Sequence, residues 1–164
     1  MLPHDKSREG DECARWMREA LAAAHEAAHA DEVPIGACIV SSENQILAAA
    51  GNRTRRDCDL TAHAEIIVLR RAAQIIGNYR LTGARLYVTI EPCAMCAGAM
   101  IQARIARLIY GAPDERAGGI ESHFRIFDNT SLNHQINYTS GVLEAECRLM
   151  MQEFFRQQRE RKRR

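Results

Sequence analysis

The amino-acid sequence predicts an α/β layered fold, on three observations. Short runs rich in β-branched residues alternate with longer runs whose apolar residues recur at helical spacing, the pattern of strands covered by helices. Pro and Gly stand at the boundaries between these runs, and no repeat, low-complexity tract or linker divides the chain. With 164 residues the chain is long enough to bury a core and is read as one domain, 1–164.

From Glu12 to about His29, Met17, Ala20, Leu21, Ala24 and Ala28 follow a helical period, and Pro34 and Gly36 end the segment. Ile35–Val40 and Ile46–Ala50 read as strands joined by the polar turn Ser41–Asn44. After a polar loop from Gly51 to Asp59, Thr61 is placed to cap a helix that runs to about Ile76 and stops at Gly77 and Asn78. Arg85–Ile90 is a strand with β-branched and aromatic content. Pro92 opens a third helix, reaching Arg104, because Pro is tolerated in a first turn. Arg107–Tyr110 is a short buried strand, followed by a turn-rich loop from Gly111 to Ser122. His123–Asn137 carries no period that assigns it, and a last helix from about Leu143 to Arg164 holds Leu149, Met150, Phe154 and Phe155.

A hydrophobic content of 46% and a charged content of 26% match a globular protein and exclude disordered, collagen-like and membrane classes. The apolar runs fall far short of the ~20 residues that cross a bilayer. The first twelve residues are charged throughout and do not form a secretory apolar core, so a cytoplasmic location, with reduced cysteines, is expected. The net charge of +1 conceals an uneven distribution. Arg156–Arg164 holds six basic residues and one acidic residue, which leaves 16 basic against 20 acidic in the rest, a body of −4 with a basic end of +5. Cations suit a solvated helix C-terminus. They also suit contact with a polyanion, which would be local and salt-sensitive.

Two segments, TAHAE (Thr61–Glu65) and EPCAMC (Glu91–Cys96), hold most of the chemistry. His63, Cys93 and Cys96 are one imidazole and two thiols, the ligand types zinc prefers. Three protein ligands leave a fourth tetrahedral position for water, the mark of a catalytic zinc, and helix starts supply N–H groups that stabilise thiolates. Glu65 follows His63 by two residues, and from a helix's first turn both side chains can reach a metal beyond the helix end. A carboxylate there can take a proton from a water whose pKa zinc brings to about 7. His-x-Glu followed by Pro-Cys-x-x-Cys is the combination found in zinc nucleobase deaminases. Other readings stand beside it. Cys93 and Cys96 alone could be a redox pair. A structural four-ligand zinc could recruit Cys38, Cys58 or His123, and the cysteines outside the pair read as small buried hydrophobes.

Beyond these motifs the chain resembles the bacterial tRNA-specific adenosine deaminases, the TadA family of the cytidine-deaminase-like zinc deaminases. The resemblance rests on EVPIGA (Glu32–Ala37), TAHAEI, NYRL (Asn78–Leu81) and LYVTIEPCAMCAGAMIQARI (Leu86–Ile105), and continues through YGAPD (Tyr110–Asp114), Asn133-His134, GVLEAEC (Gly141–Cys147) and FFRQQR (Phe154–Arg159). It covers nearly all of the chain from about Trp16 onward. It implies a three-layer α/β/α cytidine-deaminase-like fold with a central mixed sheet of about five strands. It implies one zinc per subunit on His63, Cys93 and Cys96, Glu65 as proton shuttle, conversion of the wobble adenosine of a tRNA anticodon loop to inosine, and a homodimer. Asn52 falls where the family has an Asn near the flipped base, with Ala64 and Pro92 lining the pocket; Asn52 also reads as a turn residue. Asp114 falls beside the neighbouring nucleotide, where a carboxylate accepts from a ribose 2′-OH, although Pro113-Asp114 is also a good turn. Of Phe154 and Phe155 one is expected in the core, and Phe155 with Arg156 is read as stacking on an unpaired base. Pro113, where the family has a basic residue, and Glu121 within Gly118–Ser122 depart from the family pattern.

Two other functions compete with tRNA deamination. A deaminase of free bases or nucleotides, guanine or cytosine, would share the zinc motif and be indifferent to the basic end. A non-catalytic zinc-stabilised RNA-binding protein would have no use for Glu65.

Overall fold

The computed structural model describes residues 6–163; the first five residues of the charged N-terminus and Arg164, the last of the basic run, lie outside them. Strands β1 (Gly36–Val40), β2 (Ile46–Gly51), β3 (Arg85–Ile90), β4 (Arg107–Ala112) and β5 (Asn137–Thr139) form one sheet in the order β2-β1-β3-β4-β5. β1 pairs antiparallel with β2 and β3, whereas β3–β4 and β4–β5 are parallel, so the sheet is mixed. Helices α1 (Lys6–His29) and α4 (Glu144–Lys162) cover one face; α2 (Ala64–Ile76) and α3 (Ala94–Ala103) cover the other. This is the three-layer α/β/α arrangement that the resemblance implies.

The period of two along each strand divides the core. Cys38, Val40, Tyr87 and Ile109 pack with Trp16, Met17, Cys147 and Met150 on the α1–α4 side. Ala37, Ile39, Leu86, Val88 and Leu108 pack with Val68, Leu69 and Met100 on the other. Burial on both faces explains why the central strands read as continuous apolar runs instead of alternating ones. The Ala-rich character of α1 has a packing cause. A Cβ on Gly36 would overlap the Ala20 carbonyl oxygen, so β1 meets the helix backbone directly where Ala20 and Ala24 are fully buried.

Several boundaries differ from the sequence reading. α1 starts at Lys6, not Glu12; its charged first turns lack an apolar period but Glu9 and Glu12 pair at 2.5 Å with Arg107 and Arg85, at the starts of β4 and β3. Thr61 does not cap α2. The cap position belongs to His63, and the Thr61 N–H and hydroxyl are donated to Asp59 Oδ1 at 2.8 and 2.7 Å. Pro92 precedes α3, with Cys93 at its cap position. β4 runs on to Ala112, and the unassigned segment holds a single 3-10 turn, Ile126–Asp128, and the start of edge strand β5. Among the described residues no helix is long and apolar enough to cross a membrane.

Candidate metal centre and active site

The N-termini of α2 and α3 meet beyond the end of β3. His63 and Cys93 occupy the two cap positions in extended conformation, and neither side chain caps its own helix. They turn toward each other instead. Cys93 Sγ lies 3.6 Å and Cys96 Sγ 3.5 Å from His63 Nδ1, and all three ligand atoms fall within 4.8 Å of one another. Bonds of about 2.1–2.3 Å to a tetrahedral zinc require ligand atoms roughly 3.5–3.7 Å apart, so these side chains fit that ion. No fourth His, Cys, Asp or Glu joins the group among the described residues. Cys38 is buried in the α1-side core, and Cys58 and His123 are exposed on loops.

The electrostatics favour anionic sulfur. A hydrogen bond from the Cys96 thiol, aided by His63, holds Cys93 down at about 4, against the opposing effect of its burial. Cys96, as the donor of that bond and buried, is pushed far up. The hydrogen bond to Cys93 raises His63 in turn. The unsatisfied N–H groups of the two helix starts add positive potential at the same spot.

Glu65, in the first turn of α2, is 3% exposed, and its Oε2 is buried without a hydrogen-bond partner. Burial pushes its carboxyl up to about 7, a value at which the group can both take and release a proton near neutrality. A buried carboxylate oxygen left unpaired is costly to the fold, and such groups cluster where chemistry is done.

Asn52 supplies what Thr61 does not. Its Oδ1 accepts the Ala64 N–H at 2.9 Å, so one of the orphan donors of α2 is satisfied across the site by the loop after β2. Ala64 is thereby fixed, with its N–H engaged. The same loop is held by Glu32, which is fully buried and accepts the N–H groups of Arg55 (3.2 Å) and Arg56 (2.7 Å) and the Thr54 hydroxyl. On the other side, Pro92 is buried and its carbonyl accepts the Gly119 N–H at 2.7 Å. Glu91, 3% exposed, receives donors from Asp114 and from 120–122. Glu32 and Glu91 were not among the expected site residues. Their signal is an acidic residue at the start of an apolar segment (Glu32 in EVPIGA) or inside one (Glu91 in VTIEPC).

Asp114 serves as the turn residue the sequence also allows. Its Oδ1 accepts the N–H groups of Arg116 and Ala117 at 3.0 and 3.2 Å. It also lines a groove of about 820 Å³ between the loop after β4 and α4, together with Ile90, Pro113, Arg148, Phe155 and Arg159. Phe154 is buried, while Phe155 is 42% exposed and meets it edge-on at 5.5 Å. Arg156 lies off the groove and pairs with Glu160 at 3.3 Å; Arg159, one turn beyond Phe155, takes the groove-lining place expected for Arg156. The basic run is part of a docked helix, since Gln158 and Arg161 both donate to Asp31 Oδ1, at 2.6 and 3.1 Å. Glu121 accepts a hydrogen bond from the Tyr110 hydroxyl, which draws its carboxylate onto the body of the protein.

Residues 12–159 match the family model of MafB19-like deaminases. A tRNA-specific adenosine deaminase from Haemophilus influenzae is 46% identical over 148 residues, 90% of this chain and 86% of that protein. The chain belongs to the tRNA-specific adenosine deaminase family. Within that family, a structure solved in a study of A-to-I editing by tRNA:A34 deaminases at the wobble position superposes with a TM-score of 0.80 at 47% identity, over 83% of this chain and 98% of that one. A guanine deaminase from Nitrosomonas europaea also superposes, with a TM-score of 0.75 over 86% of this chain and 83% of that one. At 22% identity that second likeness is one of fold alone. The fold therefore does not separate the family's substrate from a free purine; the identity over nearly the whole chain does.

Proposed function

We propose that this chain is a single zinc-dependent deaminase domain that converts the wobble adenosine of a tRNA anticodon loop to inosine. The observation that carries the reading is the three-ligand cluster of His63, Cys93 and Cys96 with the buried carboxylate of Glu65, whose Oε2 has no hydrogen-bond partner, beside it in the chain. The substrate follows from relatives of 40–47% identity over most of the chain.

His63, Cys93 and Cys96 would hold the zinc, whose Lewis acidity makes a water acidic near neutral pH. Glu65 takes one proton from the attacking water and gives it to the ring nitrogen, then carries the second, from the oxygen now on C6, to the departing amine, which leaves as ammonia. Water adds at C6 of adenine and ammonia leaves, so adenosine and water become inosine and ammonia. The base must leave its stack to be attacked. The Asn52 NH2 reads the base edge, its Oδ1 being taken by the Ala64 N–H, with Ala64 and Pro92 as walls. Asp114 accepts from the 2′-OH of the adjacent nucleotide, a contact that selects RNA. Phe155 stacks on an unpaired base, and the cation beside it is Arg159, with Arg156 contributing charge from the rim. A tRNA substrate implies a cytoplasmic location. The family resemblance implies a homodimer.

The test is a zinc-loaded preparation incubated with an unmodified tRNA carrying adenosine at the wobble position, with free adenosine, guanine and cytosine as controls. Inosine in the tRNA alone is expected, and turnover of a free base alone would overturn the substrate assignment. In the same assay Phe155→Ala and Arg159→Ala are each expected to raise KM for tRNA about tenfold, since stacking on a base contributes about 1–3 kcal/mol. The Arg159→Ala effect should shrink as salt rises, because it is a phosphate-type contact. Unchanged KM for both variants would remove α4 from the substrate groove.

A further inference from the structure

Glu91 stands two residues before Cys93 and takes no part in the proposed chemistry, yet it is 3% exposed and surrounded by donors. Its Oε1 accepts the backbone N–H groups of Ile120 (3.1 Å), Glu121 (2.7 Å) and Ser122 (2.9 Å). Its Oε2 accepts the Asp114 N–H at 3.0 Å and the Ser122 hydroxyl. Both ends of the loop after β4 therefore close on one carboxylate, which has about four acceptor sites to offer. The loop is built for that approach. A Cβ on Gly118 would overlap the Glu91 carboxylate, and one on Gly119 would stand 2.8 Å from the Cys93 backbone carbon. Gly118 forms an isolated bridge with Cys93, so the loop lies along the start of α3.

We infer that Glu91 is a positioning residue that fixes the Asp114 wall of the substrate groove against the metal-ligand segment. The inference rests on the proposed reading of Asp114 as a substrate contact. The carboxylate suits the task because two oxygens accept in two directions at once. An amide of the same shape cannot, since its NH2 must face one of the two donor sets. It will face Asp114 and the Ser122 hydroxyl, because the hydroxyl can rotate to accept while three backbone N–H groups opposite cannot. The Asp114 N–H is then the group left without its acceptor.

Glu91→Gln is expected to raise KM for tRNA about tenfold, the scale of one orphaned buried donor, with kcat within about threefold and zinc content unchanged. A double-mutant cycle separates positioning from general stability. In an Asp114→Ala background, Glu91→Gln should raise KM by no more than about twofold, because the contact that it positions is gone. Ser122→Ala removes only the hydroxyl bond and is the milder variant should Glu91→Gln not fold; a KM rise of about threefold, vanishing in the Asp114→Ala background, is expected of it. Equal effects with and without Asp114 would overturn the inference while leaving the deaminase reading intact. An Asp114→Ala variant with normal KM would overturn both the Asp114 assignment and the inference. A parent chain that makes no inosine overturns the proposed function itself.

Discussion

Glu65→Gln is expected to stop inosine formation, by about 10²- to 10⁴-fold or more, in a protein that still folds and still binds zinc. The substitution preserves shape, and the Oε2 it replaces has no hydrogen-bond partner to lose. What disappears is the capacity to take a proton. Burial already pushes the carboxyl up to about 7, so an uncharged group at this position is tolerated and the variant should melt no earlier than the parent. The measurements are inosine per chain, zinc per chain and a thermal melt. A variant retaining a tenth or more of the parent rate would exclude Glu65 as the proton shuttle, and one that lost zinc would reassign it to metal binding. The same variant separates an enzyme from a zinc-stabilised RNA-binding protein, in which nothing measurable depends on Glu65.

Removal of the metal should be felt in both activity and stability. His63→Ala, Cys93→Ala and Cys96→Ala are each expected to release zinc and abolish turnover, and a chelator should do the same to the parent. An ion present at 1,000 times its dissociation constant stabilises the folded chain by about 4 kcal/mol. At roughly 2–4 °C per kcal/mol for a chain of this size, the parent's melting temperature should fall about 8–16 °C on chelation. The three variants should not respond to the chelator at all. A parent whose melting temperature ignores chelation, or a variant that keeps its zinc, would contradict the cluster of ligands. Unequal losses among the three are expected, because Cys96 is buried whereas His63 and Cys93 are half-buried at the cap positions.

The motifs were legible because they are local. His63 and Glu65, and Cys93 and Cys96, are neighbours in the chain, and each pair opens a helix whose period is plain in the residues that follow. The core strands were legible for a related reason: a strand buried on both faces is an unbroken apolar run. β5 was not, since three residues at a sheet edge pair with Arg107–Ile109, thirty positions earlier in the chain, and leave no periodic trace. The first turns of α1 were hidden because ion pairs to Arg85 and Arg107, not apolar spacing, hold them.

By itself the sequence determined the layered α/β class, the family, the His63, Cys93 and Cys96 set proposed as metal ligands and the Glu65 carboxylate proposed to transfer the proton, all of which depend on residue types at short, fixed spacing. Only the tertiary structure decided how the loops are held. Asn52 in place of Thr61 satisfies the start of α2, Glu91 gathers both ends of the loop that carries Asp114, and Arg159 in place of Arg156 faces the groove beside Phe155. Each of these depends on direction as well as identity. A buried carboxylate or amide accepts from whichever N–H the fold brings to it, and a helical side chain faces a groove or solvent according to a rotation that packing sets.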